Sequence, residues 1–186
     1  MAGGIIDPTG GSRESVTTAR SDAPRPDSLD GLRVGLLENG KRNAAQILDA
    51  VGEVLVREHG AGVLVRRLKK QFAMPLPDEL LEDLVNECDV VVLGVGDCGS
   101  CSASAVADGI ALETAGTPSA VICTEAFEAT STAMAELKGD PGYPFLLTGH
   151  PVANLTDEQI VERARELAGR VADRLAGARA RTGVVA

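Results

Sequence analysis

A chain of 186 residues is one domain's length, enough to bury a core without disulfides or a metal to hold it. A net charge of −9 and an aromatic content of 2% argue against a phosphate-backbone partner and against base stacking. No apolar run approaches the roughly 20 residues of a membrane span, and no basic segment followed by an apolar one opens the chain. A soluble, cytoplasmic protein is expected.

Residues 1–30 are rich in Gly, Ser, Thr, Pro and Asp, and Ala23-Pro24-Arg25-Pro26-Asp27 reads as an extended linker. Composition leaves two readings open: a disordered leader, or an arm laid over a partner subunit, for which Ile5-Ile6 gives something to bury. An α/β domain is expected over residues 31–177, with a frayed tail at 178–186. Leu32 to Leu37 reads as a buried strand, followed by the polar turn Glu38-Asn39-Gly40-Lys41. Residues 43–58 carry apolar side chains at helical spacing, and Gly60 and Gly62 end that helix. Val63 to Leu68 is a second strand, and Pro77 opens a short helix through Glu87. Asp89 to Val95 is the most hydrophobic run and reads as a central strand. A helix follows from about Ala103 to Thr114, then a fourth strand, Ser119 to Cys123, and a helix near 126–137. Phe145 to Thr148 is a fifth strand, and Thr156 caps a last helix running to about Leu175. Strands alternating with helices five times predict a single doubly wound, mainly parallel five-stranded sheet, flavodoxin-like or Rossmann-like. Right-handed crossovers make the flavodoxin-like order the first expectation.

Ligands of an open parallel sheet bind beyond the carboxyl ends of its strands. The first strand delivers Asn39, Lys41 and Asn43 to that edge. The third delivers Asp97, Cys98, Gly99, Ser100, Cys101 and Ser102; the fourth, Thr124 and Glu125; the fifth, His150. The central motif is Cys98-Gly99-Ser100-Cys101. In a reducing compartment a close cysteine pair is more often catalytic or metal-binding than structural. Cys98 is expected at the mouth of a helix starting near Ser102, where free amides and the helix dipole favour a thiolate. That makes it a nucleophile at neutral pH. Cys101, one turn on, can attack a disulfide or sulfenic acid formed on Cys98. Gly96 and Gly99 permit a tight loop whose inward amides form a nest for an anionic group or an oxyanion. His150 is the natural proton carrier, Lys41 can hold a carboxylate or phosphate, and Asp97 can orient a donor or cap the loop.

Plainer readings stand beside these. Lys41 is also read as a solvated helix-start lysine, Glu125 as a helix N-terminal carboxylate, and His150 as a surface turn residue. The cysteine pair is also read as a packed structural pair, or as part of a zinc site through Cys98, Cys101 and His150 that lacks a fourth ligand. No cofactor is certain, and an external thiol or redox partner is the expected co-reactant. Cys123 is expected to behave as a small apolar residue within its strand. The glycines at 94, 96 and 99 do not fit the dinucleotide fingerprint.

The run Val95-Gly96-Asp97-Cys98-Gly99-Ser100-Cys101-Ser102 resembles the UGSC-motif selenoprotein/cysteine family, whose first motif position holds selenocysteine or cysteine. Ile5-Ile6-Asp7-Pro8-Thr9-Gly10, Leu36-Leu37-Glu38-Asn39-Gly40-Lys41-Arg42-Asn43, Gly116-Thr117-Pro118 and His150-Pro151 match it too, so the resemblance spans roughly residues 5–152. In this region the family is similar to selenoprotein subunits of the glycine and betaine reductase type. The resemblance implies that Cys98 takes the selenocysteine position and Cys101 its resolving partner. Two residues depart from it: Arg42 stands where members commonly carry Pro, and Ala107 precedes Asp108 where they often carry His. The combined expectation is a cysteine-dependent enzyme acting on a small, anionic, electrophilic substrate by thiol-dependent reduction, elimination or group transfer. The alternative is a non-catalytic or metal-binding subunit of a hetero-oligomeric complex. Either a homo-oligomer or a hetero-oligomer with a related subunit is expected.

Overall fold

The computed structural model describes residues 22–177. Five strands form its sheet: β1 (Arg33–Glu38), β2 (Val63–Leu68), β3 (Val90–Gly96), β4 (Ser119–Thr124) and β5 (Leu146–Thr148). All pair in parallel, in the order β2-β1-β3-β4-β5, which is the flavodoxin-like order expected from the alternation. The helices are α1 (Ala44–His59), α2 (Asp78–Glu87), α3 (Gly99–Thr114), α4 (Glu128–Leu137) and α5 (Asp157–Leu175).

A parallel strand covered on both faces must be apolar on both, and every residue of β3 and β4 is buried. Val90 and Val92 point into one core with α1 and α5, which holds Ile47, Leu55, Leu167 and Val171. Val91 and Leu93 point into the other, with Leu84 from α2 and Val106 and Leu112 from α3. Near the end of β3 the pairing register with β4 shifts between Gly94 and Gly96. Val95 therefore joins the first core, and the residues after Gly96 leave the sheet at the edge where α3 begins.

Several boundaries differ from the expectations, most by a single residue. The last strand begins at Leu146 rather than Phe145. Pro77 is the cap of α2, in extended conformation, rather than its first helical residue. The largest difference is α3, which begins at Gly99 and not near Ser102 or Ala103. Cys98 caps it directly, so the glycine nest expected between strand and helix does not exist as a separate loop: Gly96 is still strand and Gly99 is already helix. Gly96 serves close packing instead. A Cβ there would lie 2.7 Å from the Ser102 hydroxyl and 2.8 Å from the Cys123 sulfur.

Residues 22–30 run extended and are fastened to the domain. The Ala23 N–H donates to Glu113 at 2.9 Å, and Leu29 joins the α1/α5 core. The Ile5-Ile6 pair and the 178–186 tail lie outside the described residues.

Candidate active site

Cys98 has extended backbone, with φ of −157°, and stands at the N-terminus of α3. Helix N-termini leave backbone N–H groups without intrahelical partners. Here the Cys98 sulfur takes one of them, accepting from the Cys101 N–H at 3.2 Å. The two cysteines are joined as a disulfide with their Cα atoms 5.1 Å apart. Cys101 is buried on the α3 side, Cys98 is half-buried, and Ser100 is exposed with its hydroxyl 3.6 Å from the Cys98 sulfur. Gly99 faces open space, while Ser102 is wholly buried beneath the helix.

Asp97 precedes Cys98 and receives three donors. His150 Nδ1 lies 2.9 Å from one carboxylate oxygen, the Val152 N–H donates to the same oxygen at 3.2 Å, and the Ala153 N–H donates to the other at 3.0 Å. A carboxylate only accepts, so the Nδ1 position carries the hydrogen and Nε2 is left for exchange. Thr124 donates to the Gly96 carbonyl at 3.1 Å and sits 3.2 Å from the same imidazole nitrogen. Phe127 meets the His150 ring edge-on, with centroids 5.4 Å apart. The ends of β3, β4 and β5 thus converge on one aspartate–histidine pair adjacent in sequence to the cysteine.

The remaining nominated residues do other things. Asn39 is buried and donates to the Val95 carbonyl at 3.0 Å, tying the β1 end to the β3 end. Asn43 has left-handed backbone and donates to the Val152 and Leu155 carbonyls, both at 3.0 Å, so it holds the segment after His150. Both asparagines are braces. The Lys41 ammonium rests over the Phe72 ring, 3.5 Å from its centroid. Glu125 is exposed at the start of the short turn Glu125–Phe127 and is not drawn into the group. Among the described residues no three His, Cys, Asp or Glu side chains gather as metal ligands, Cys98, Cys101 and His150 included.

The other two cysteines are buried and poor nucleophiles. Burial pushes the thiols of Cys88 and Cys123 up to about 11. Cys123 also faces the hydroxyls of Ser131 and Ser102, which pull the other way.

A model of the UGSC family matches residues 4–177. The chain belongs to the UGSC family. No curated protein matches it. Within this UGSC protein, sequence reading overlooked a second set of polar side chains beside the cysteines. Lys69 and Asp108 form a buried ion pair, and the Lys69 ammonium also donates to Ser104 at 2.7 Å. The signal was present. Asp108 is the first charged residue in α3, in a run of small and apolar residues, and Lys69 follows directly on a strand end.

Asp97→Asn tests the brace on His150. An amide offers that nitrogen a weaker, uncharged partner and favours the other tautomer, so on the thiol-exchange function proposed below the Cys98 rate is expected to slow by about a hundredfold. Far-UV circular dichroism and stopped-flow exchange rates on the same sample separate this from misfolding.

Proposed function

We propose that this UGSC protein is a cysteine-dependent reductase of small, anionic, electrophilic substrates, and that Cys98 and Cys101 cycle between dithiol and disulfide. The observation that carries the reading is the disulfide-bonded pair at the α3 N-terminus, beside the Asp97–His150 pair. The helix dipole favours Cys98 as thiolate, and the free amides of the first turn offer donors to an anionic substrate group.

The reaction balances for a substrate with a sulfur–sulfur bond. Cys98, its proton passed to His150 Nε2, attacks one sulfur as thiolate, forming a mixed disulfide and expelling a thiolate that takes that proton back from Nε2. Cys101, as thiolate, then attacks the Cys98 sulfur and expels the second substrate thiolate, which is protonated in turn. The two electrons come from the cysteine pair, which ends as the disulfide. An external dithiol restores it, as a reducing cytoplasm provides.

The alkylation rate of reduced protein against pH tests the nucleophile. A rate that plateaus below about pH 7 is expected, as for a cysteine whose pKa is depressed. A rate still climbing through about pH 8.5, the free-cysteine value, would overturn the reading. The high pKa of Cys88 and Cys123 keeps them out of the signal.

A further inference from the structure

Resolution of a mixed disulfide needs a second thiolate, and helix position does less for Cys101 than for Cys98. Cys101 lies inside the first turn of α3, with its sulfur buried. A thiol out of water keeps its proton more firmly. Something near it must accept that proton before it can attack.

A narrow cleft of about 10 Å³, room for a single water, opens beside Cys101, and Asn39, Lys69, Phe72 and Asp108 also line it. Residues 101, 104 and 108 share one face of α3, with Asp108 two turns, or about 10 Å, beyond Cys101. Ser104 stands between them and bridges to the far group. Its hydroxyl accepts from Lys69 at 2.7 Å and donates to the Met74 carbonyl at 2.7 Å. Asp108 pairs with Lys69 and accepts from the Leu76 N–H at 3.0 Å. Both charged side chains are at least 96% buried. Fold stability alone is a weak reason to keep such a pair, because desolvation offsets most of its attraction.

We propose that the Asp108 carboxylate, held by Lys69, receives the proton that Cys101 releases when it attacks the mixed disulfide on Cys98, and returns it when the disulfide is reduced. The proton crosses the cleft through the water it admits, since Cys101 and Asp108 line the same space. Reduction by a dithiol reverses each transfer, so the cluster is regenerated in every cycle. Asp108 and Lys69 are positioning residues, acting through Cys101 without touching substrate. Burial raises the Asp108 carboxyl, and the Lys69 hydrogen bond and charge oppose that rise. A raised carboxyl is the better proton acceptor for a thiol. The charged groups facing Asp108 are Lys69, at the end of β2, and Lys138, after α4. The inference rests on the dithiol cycle proposed above.

The test is stopped-flow reaction of the reduced full chain with an aromatic disulfide that releases a coloured thiol at each step. The first release reports Cys98 attack and the second reports resolution by Cys101, with Cys101→Ser giving the first alone. Asp108→Asn is expected to leave the first release unchanged and to slow the second by about a hundredfold near pH 6.5. The gap closes toward about pH 9, where hydroxide deprotonates an ordinary thiol unaided. A second release as fast as wild type at every pH overturns the inference, and so does one slowed by the same factor throughout. A wild-type protein that gives no second release overturns the dithiol cycle itself. Should Asp108→Asn not fold, the smaller Asp108→Ser carries the test, with the same pH-dependent slowing of the second release expected and its absence overturning the inference.

Discussion

Replacing Cys98 with serine is expected to reduce thiol–disulfide exchange by roughly 10⁴-fold or more while leaving the protein folded. The two halves of this expectation have separate causes. Serine is among the best helix caps, and its oxygen can accept the Cys101 N–H now taken by sulfur. The lost disulfide closes a loop of only a few residues and restrains the unfolded chain little. The hydroxyl, however, does not ionise near neutrality, and the nucleophile is gone. Exchange rates and the thermal midpoint measured on the same preparation check both halves. A variant that exchanges normally would place the reactive sulfur at Cys101.

The second large effect concerns stability and lies at the other end of α3. Glu113 is 3% exposed and binds two guanidiniums, accepting from Arg25 twice at 2.7 Å and from Arg174 at 3.0 Å. It also accepts from the Ser119 N–H and hydroxyl and from the Ala23 N–H. Glu113→Ala leaves both guanidiniums without this carboxylate in a buried setting, and a loss of about 3–5 kcal/mol is expected. Burial alone would raise the Glu113 carboxyl, but Arg25 and the two backbone donors outweigh it and the net shift is downward. A carboxyl whose folded value is depressed stabilises the fold above its unfolded value, near 4.3, and that contribution fades as pH falls through the folded value. Urea midpoints of wild type and Glu113→Ala should therefore converge as pH is lowered from about 5 toward about 3.

The architecture was legible because the periodicities were strong. The apolar run 89–95 and the helical spacing of 43–58 marked a buried strand and a helix, and the repeated alternation with right-handed crossovers pointed to the strand order. The start of α3 was not legible, because cysteine is an unfamiliar cap and Gly-Ser-Cys-Ser is ordinary turn composition. That error displaced Cys98 by one turn from its true role, yet kept it at the helix mouth. The edge rule gathered Asp97, Thr124 and His150, which do meet. It also gathered Asn39 and Asn43, which brace backbone instead, because the rule finds the edge and not what each side chain holds there. Lys69 escaped because a charge in sequence is read as solvent-facing until a partner is seen, and Asp108 entered only through the resemblance, as the residue after Ala107.

Helix α3 is gripped at three heights: by the Cys98 cap at its first turn, by Lys69 at Asp108, and by two arginines at Glu113. Opening the disulfide touches only the topmost grip, and the Cys98 sulfur can still accept the Cys101 N–H. The two lower grips do not involve the cysteines, so on the proposed dithiol cycle oxidised and reduced forms share one scaffold.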